Sequence, residues 1–155
     1  MIVRRATVDD ADAICDVHIR SIRVLCANDY TPEQIESWVR YKSADNYRSA
    51  MTERGEVLFV AARHLKIIGF SQLWKDEITS VYVAPEGKGI GAGRALVEAA
   101  EKHARLQGVT EIKLRSTITS IAFYEHLGYR RVEDSIYTLR DGVKLECVWM
   151  RKAII

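Results

Sequence analysis

Proline and cysteine are scarce in this chain, with two and three residues respectively among 155. Cys15, Cys26 and Cys147 form an odd, widely spaced set without a close pair. That spacing argues against a disulfide framework or a zinc cluster, and four dispersed histidines do not complete a ligand set. No metal is expected, and the thiols read as buried side chains of a reducing compartment. Long apolar runs are also missing. No stretch approaches the ~20 apolar residues of a membrane span. Asp9, Asp10 and Asp12 interrupt the segment where a secretory h-region would lie. Nor is there an excess of one charge, because 23 Lys and Arg against 21 Asp and Glu leave only +2. So small a balance gives no reason to expect nucleic acid or an anionic membrane as partner. The expectation is a cytoplasmic protein. Neither repeats nor low-complexity linkers divide it, so residues 1–155 are expected to form one domain.

What is present is a succession of distinct patterns. Ile2 to Ala6 reads as a short strand. Asp9 or Asp10 can cap a helix running to about Cys26, with Ala11, Ile14, His18, Ile22 and Leu25 on one stripe. Thr31-Pro32-Glu33-Gln34 is a stronger start signal: a capping hydroxyl, proline at the first helical position, and glutamine three residues after the cap. That helix carries Ile35, Trp38 and Val39, and Ser43 to Glu53 reads as a further short one. Glu56 to Arg63 and Lys66 to Trp74 are β-branched and aromatic runs joined by a tight His64-Leu65 link. Asp76-Glu77 opens a third strand, to Val83. A helix follows from Gly91 to Gln107, with Ala92, Leu96, Ala99, His103 and Leu106 on its face and Gly108 at its C-cap. Val109 to Arg115 reads as a strand and Ser120 to His126 as a short helix. Tyr129 to Val132, Ser135 to Leu139 and Lys144 to Met150 close the chain as strands, with Asp141-Gly142 as a hairpin turn. The fold class is therefore α/β (α+β). Its mixed, mostly antiparallel sheet has about six to seven strands, flanked by about four helices, with one parallel pair around the long helix.

Between the third strand of the meander and that helix, Gly87-Lys88-Gly89-Ile90-Gly91-Ala92-Gly93 places glycine at every second position. Glycine lets the backbone turn tightly and leaves its N–H groups open to an anion. The helix N-terminus adds unpaired donors and the positive end of its dipole. A phosphate or pyrophosphate is the natural occupant. Two other phosphate loops do not fit. Counted from Gly89, the third position of the dinucleotide fingerprint is Arg94; counted from Gly87 it is Ala92, which is permitted. However, the next strand, Glu111-Ile112-Lys113-Leu114-Arg115, ends basic where a ribose-binding acid is needed. The nucleoside-triphosphate loop requires Ser or Thr after its lysine, and Lys88 is followed by Gly89.

Four passages carry a family resemblance. Glu77-Ile78-Thr79-Ser80-Val81-Tyr82-Val83-Ala84-Pro85, Glu86-Gly87-Lys88-Gly89-Ile90-Gly91, and Ala122-Phe123-Tyr124-Glu125-His126-Leu127-Gly128-Tyr129 occur in that order. With the early Arg4-x-Ala6 and Asp9-Asp10-Ala11, they resemble the GCN5-related N-acetyltransferase superfamily over nearly the whole chain. Tyr30-Thr31-Pro32-Glu33-Gln34 followed by Trp38, with Ser116-Thr117-Ile118-Thr119-Ser120 before Phe123-Tyr124, is similar to a bacterial subgroup of small acetyltransferases. Two departures stand out. Glu86 replaces the usual Gln or Arg and cannot donate to phosphate, and the stretch between Val83 and the glycines is shorter than usual.

The resemblance implies acetyl-coenzyme A as co-substrate and suggests roles. The backbone of Gly87, Lys88, Gly89, Ile90, Gly91 and Ala92 would cradle the diphosphate. Val81 N–H would receive the oxyanion and Val83 the pantetheine amides, while Thr117 stands where many members carry a coenzyme-contacting asparagine. Glu77 corresponds to a general base and Tyr124 to a general acid. An alkyl ammonium with a pKa near ~10 needs such a base, and a phenol near ~10 suits a departing thiolate. Each role has a plain alternative: Glu77 as a solvated strand opener, Val81 in ordinary sheet pairing, Tyr124 as a core aromatic beside Phe123. Strict alternation puts Glu77, Thr79, Val81 and Val83 on one face and Ile78, Ser80 and Tyr82 on the other. The acceptor side falls to the first two helices, with His18, Ser21, Tyr30 and Trp38 as candidates. His18 on an apolar stripe is more simply a satisfied core residue, and Trp38 offers either packing or a wall for a cationic amine. The expected activity is direct acetyl transfer to a primary amine of a small molecule, since no cysteine is set as nucleophile. Acetylation of a protein lysine or N-terminus is the enzymatic alternative, and a non-catalytic coenzyme A sensor the other. The oligomeric state is open, a homodimer among the options.

Overall fold

The computed structural model describes residues 1–155. β1 (Ile2–Arg5) leads through a single 3-10 turn into α1 (Ala11–Leu25). Asp10 precedes that helix, yet its carboxylate turns back to accept from Thr7 N–H at 2.9 Å and from the Arg4 guanidinium at 2.8 and 2.9 Å. α2 (Pro32–Arg40) starts on a reciprocal cap. Thr31 Oγ1 accepts from Gln34 N–H at 3.1 Å, and Gln34 Oε1 accepts from Thr31 N–H at 2.8 Å. α3 (Ala44–Thr52) follows. β2 (Val57–Arg63), β3 (Lys66–Trp74) and β4 (Glu77–Val83) form an antiparallel meander. His64 and Leu65 link the first two with φ of 51° and 65°, the left-handed pair that matches the twist of a hairpin.

α4 (Ala92–Leu106) crosses the sheet, so that β5 (Glu111–Thr117) returns parallel to β4. α5 (Ile121–His126), β6 (Arg130–Thr138) and β7 (Lys144–Ala153) complete the chain. The seven-stranded order is β1-β2-β3-β4-β5-β7-β6, and every pair but β4–β5 is antiparallel. One apolar layer joins Ile14 and Val17 of α1 to Leu58, Val60 and Phe70. The other joins Val97 and Ala100 of α4 to Ile78, Ile112, Leu114 and Met150. Truncating a fully buried ring such as Phe70 to alanine would remove about 3–5 kcal/mol. No helix is long and apolar enough to cross a membrane.

Seven strands and five helices agree with the expected class. Two expectations need correction. β6 is one strand where two were expected, because a bulge between Arg131 and Glu133 bends the pairing without ending it. α4 is also rotated from the expected face: Ala92, Leu96, Val97, Ala100 and Ala104 are buried, and Leu106 is 75% exposed. The stripe of small residues lets α4 approach the sheet closely. A Cβ on Gly69 would lie 2.9 Å from Leu96 Cδ1.

Candidate active site

β4 and β5 pair at Glu77–Lys113 and Ile78–Leu114 and part beyond that point. Lys113 N–H donates to Asp76 O at 3.0 Å, so the even-numbered residues at the start of β4 turn their polar backbone groups toward β5. Farther along, Ala84 N–H donates to Ile68 O at 2.7 Å, so the even-numbered residues there face β3 instead. A bulge reverses the parity. Gln72 pairs with Ser80 and Leu73 with Ile78, leaving Thr79 as the extra residue. The insertion aims the N–H groups of Val81 and Val83 into the gap that β5 leaves. It also breaks the expected alternation of side chains. Ile78, Val81 and Val83 pack toward α4, whereas Glu77, Thr79, Ser80 and Tyr82 line a cavity on the other face.

Beyond Val83 the chain makes a 3-10 turn, Pro85–Gly87, before the glycine loop. Gly87 is buried, and a Cβ there would lie 2.9 Å from Val83 Cγ1 and 3.2 Å from Ile68 O. Gly89 and Gly91 adopt φ of 82° and 84°, a region that side chains disfavour. The space outside both is open to 4 Å. The N–H groups of Gly89, Ile90 and Gly91 find no backbone acceptor. Those of Ala92 and Gly93 lie in the first turn of α4, where no acidic residue competes. Exposed Lys88 flanks these donors. Glu86, the residue that departs from the family pattern, is neutralised. Arg20 grips its carboxylate at 2.7 and 3.0 Å and Lys66 approaches to 3.1 Å, which holds its pKa down to about 2. These donors, with their open outer surface and compensated acid, fit the diphosphate of coenzyme A.

The cavity, of about 410 Å³, lies between α1, α2 and the β4, β5 and β7 strands. Tyr30 and Trp38 form one wall, ring edge to face at 5.2 Å. The Tyr30 hydroxyl donates to Glu146 O at 2.6 Å and accepts from Ile118 N–H at 3.0 Å, while burial pushes its pKa up to about 12. His18 bonds the Tyr47 hydroxyl through Nδ1 at 2.7 Å and packs against Phe70 and Tyr82 with centroids 5.1 and 4.1 Å away. Its Nε2 is buried without a partner, so it is not the satisfied core histidine its stripe suggested. Burial, then the charge of Lys42, holds its pKa well below the usual histidine value. Ser21 is buried on α1 and takes no part in the cavity wall. Lys42, Tyr82 and Arg115 do take part, and none of them was singled out in the sequence. Only the bulge, which decides which β4 side chains face inward, would have marked Tyr82.

Glu77 opens β4 half-buried in the same cavity. Burial raises its pKa, and Lys113 and Arg115 partly oppose the shift. Tyr124, 6% exposed on α5, packs edge-on to Phe123 and Tyr129 at 5.0 and 5.7 Å. Burial alone pushes its phenol pKa up, no hydrogen-bond partner contributing. It lines a narrow slot with Val81 and Ser120. Thr117, whose Oγ1 donates to Ser120 Oγ at 3.2 Å, lines both slot and cavity, as do Thr79, Ser80, Tyr82 and Arg115. The two spaces therefore adjoin across the bulge. Glu77, Val81, Thr117, Tyr124, His18, Tyr30 and Trp38 surround one connected region, with the glycine loop beyond Val83 and Ser21 outside it.

Residues 26–153 match the acetyltransferase (GNAT) domain. Over 145 residues the chain is 28% identical to the spermidine N(1)-acetyltransferase of Thermoplasma acidophilum, covering 86% of this chain and 89% of that one. A GCN5-related N-acetyltransferase structure from Rhodopseudomonas palustris is similar with a TM-score of 0.90 at 26% identity, covering 98% of this chain and 94% of that one. The PaiA N-acetyltransferase of T. acidophilum, solved in complex with coenzyme A, shares the fold with a TM-score of 0.75 at 21% identity, covering 98% of each chain. Matched to that domain over most of its length, the chain belongs to the GNAT acetyltransferase family and is an acyltransferase.

Proposed function

We propose that this acyltransferase moves an acetyl group from acetyl-coenzyme A directly to the primary amine of a small molecule. The observation that carries the reading is the Thr79 bulge, which aims two backbone donors between the glycine loop and a cavity that holds a carboxylate. Acetyl-coenzyme A brings the activated thioester. The N–H groups of Gly89 to Ala92 hold its diphosphate, those of Gly87 and Lys88 being spent on Ala84 O and Pro85 O, and Val83 pairs with the pantetheine arm. Val81 N–H donates to the carbonyl oxygen as negative charge gathers there. Glu77 takes a proton from the incoming ammonium, directly or through water, and its raised pKa brings it nearer the working pH. Tyr124, held neutral by burial, donates its phenolic proton to the departing thiolate.

A covalent detour through cysteine is not supported. Cys147 is the cavity's one thiol, and the cavity's one histidine already directs Nδ1 to Tyr47. A volume of about 410 Å³ suits a small acceptor, and Tyr30, Trp38 and Tyr82 offer aromatic faces to an ammonium. A relative named for spermidine acetylation supports an amine as acceptor. Calorimetry with acetyl-coenzyme A, then free-thiol release with a panel of amines and peptides, tests the reading. Binding followed by thiol release with small amines is expected. Absence of binding sinks it, turnover of peptides alone redirects it to protein acetylation, and binding without any release favours a sensor.

A further inference from the structure

Lys42 lies in the turn between α2 and α3, and its side chain lines the acceptor cavity. No carboxylate in that cavity balances its charge. Burial draws its pKa down to about 8, and the one opposing influence is Cys15. Of the cavity's three acids, Glu56 accepts from Arg54 and Gln72, each at 2.9 Å, Glu77 faces Lys113 and Arg115, and Glu146 is exposed on β7 and forms no ion pair with Lys42. Arg115 is itself engaged by Tyr137 and Trp149, its guanidinium carbon 4.8 and 4.9 Å from their ring centroids.

A second unmatched polar atom stands in the same wall. His18 is 6% exposed and its Nε2 has no partner. With the Tyr47 phenol donating to Nδ1, the imidazole hydrogen sits on Nε2 and faces the site as a donor; in the other tautomer Nε2 is a bare acceptor. A half-buried cation without a counter-charge, beside a buried imidazole nitrogen without a partner, favours a ligand that brings an acidic oxygen. One cation suits a singly charged anion rather than a phosphate dianion. A polyamine would instead bring a second ammonium up to Lys42.

We infer that the acceptor is a zwitterion, a small amine that also carries a carboxylate, with its anionic end on Lys42 and its amine toward Glu77. This rests on the proposed acetyl transfer and narrows its substrate class. The test compares thiol release for ω-amino carboxylates and α-amino acids with that for primary amines and diamines of matching length. Wild type, Lys42→Met and Lys42→Arg are compared, with circular dichroism reporting the fold. In wild type, kcat/KM for amino carboxylates is expected to exceed that for matched amines by about 10–100-fold, the worth of one charge-assisted hydrogen bond. The difference should lie in KM. Lys42→Met collapses the ratio toward one and Lys42→Arg retains most of it. Calorimetric titration of 4-aminobutyrate against butylamine reads the same preference in wild type without turnover. A wild-type ratio near one, or a preference for diamines, overturns the zwitterion and leaves acetyl transfer standing. If no amine releases thiol, the transfer reading fails, and the calorimetric preference still decides the role of Lys42.

Discussion

Gly93→Ala sets two physical effects against each other at the junction of α4 and α5. Gly93 lies in the first turn of α4, where alanine is a better helix former by about 1 kcal/mol. Against that gain, its Cβ would lie 3.0 Å from Phe123 Cζ and 3.1 Å from Cε1, so the ring must retreat. Phe123 has little room to do so, because it packs on the α4–sheet core and stands edge-on to Tyr124 at 5.0 Å. Overpacking of this kind costs about 1–3 kcal/mol. The net loss is then about 0–2 kcal/mol, or up to ~8 °C in Tm for a chain of this size. Turnover should suffer more than folding, since Phe123 pushes on Tyr124. A displacement of a few tenths of an ångström in a catalytic group lowers kcat by roughly 10-fold. Coenzyme affinity should change little, because the proposed donors are backbone groups from Gly89 to Ala92. Differential scanning calorimetry and thiol-release kinetics on the same preparation check both quantities. A variant that melts higher by the full helix-propensity gain, with kcat unchanged, refutes the close-packing reasoning.

Tyr124→Phe should lower kcat by about 100-fold while the coenzyme A dissociation constant stays within about twofold; equal losses in both would assign the hydroxyl to binding instead. Burial favours the neutral acid form of Glu77, so its base form appears only as pH rises past a pKa above the ordinary glutamate value. The kcat profile should carry that rising limb in wild type and lose it in Glu77→Gln, and a limb surviving the substitution removes Glu77 as base. Arg20→Met leaves the Glu86 carboxylate beside the loop with Lys66 alone and should weaken coenzyme A binding by roughly 3–10-fold at low salt. Adding Glu86→Gln should restore it, which titrations at two ionic strengths would show. His18 in the folded chain resists a proton that the unfolded chain takes up below about pH 6.5. Its contribution to stability is therefore present above that pH and declines below it by up to ~1.4 kcal/mol per unit. Melting curves between pH 7.5 and 5.0 should fall less steeply in His18→Phe, and identical slopes would refute it.

Local signals translated well from sequence to structure. Thr31-Pro32-Glu33-Gln34 became a reciprocal cap because every partner lies within one turn of chain. The alternate glycines became a bent loop because Gly89 and Gly91 need positive φ whatever surrounds them. Signals that depend on partners distant in sequence were lost. The Thr79 bulge arises from how β3 registers against β4, so a strict period of two put Glu77 and Val81 on one face when they lie on opposite ones. Ser21 shows a related weakness. Its place on the first helix brought it forward, but a position on a helix beside the cavity does not tell which side chains reach it. Lys42 was silent for the opposite reason. A lysine in a turn reads as solvated until α1 and the cavity wall close around it.

β6 is one of the two edge strands, β1 being the other, and Val132, Ile136 and Tyr137 along it are 48%, 50% and 46% exposed. An unpaired rim of that length invites another chain to add on, the first step toward fibres. Arg130, Arg131, Glu133 and Asp134 crowd one end of it, and the bulge between Arg131 and Glu133 twists the rim out of flatness. Any recruited strand would have to desolvate four charges and follow a kinked template, so this border serves as a barrier against aggregation.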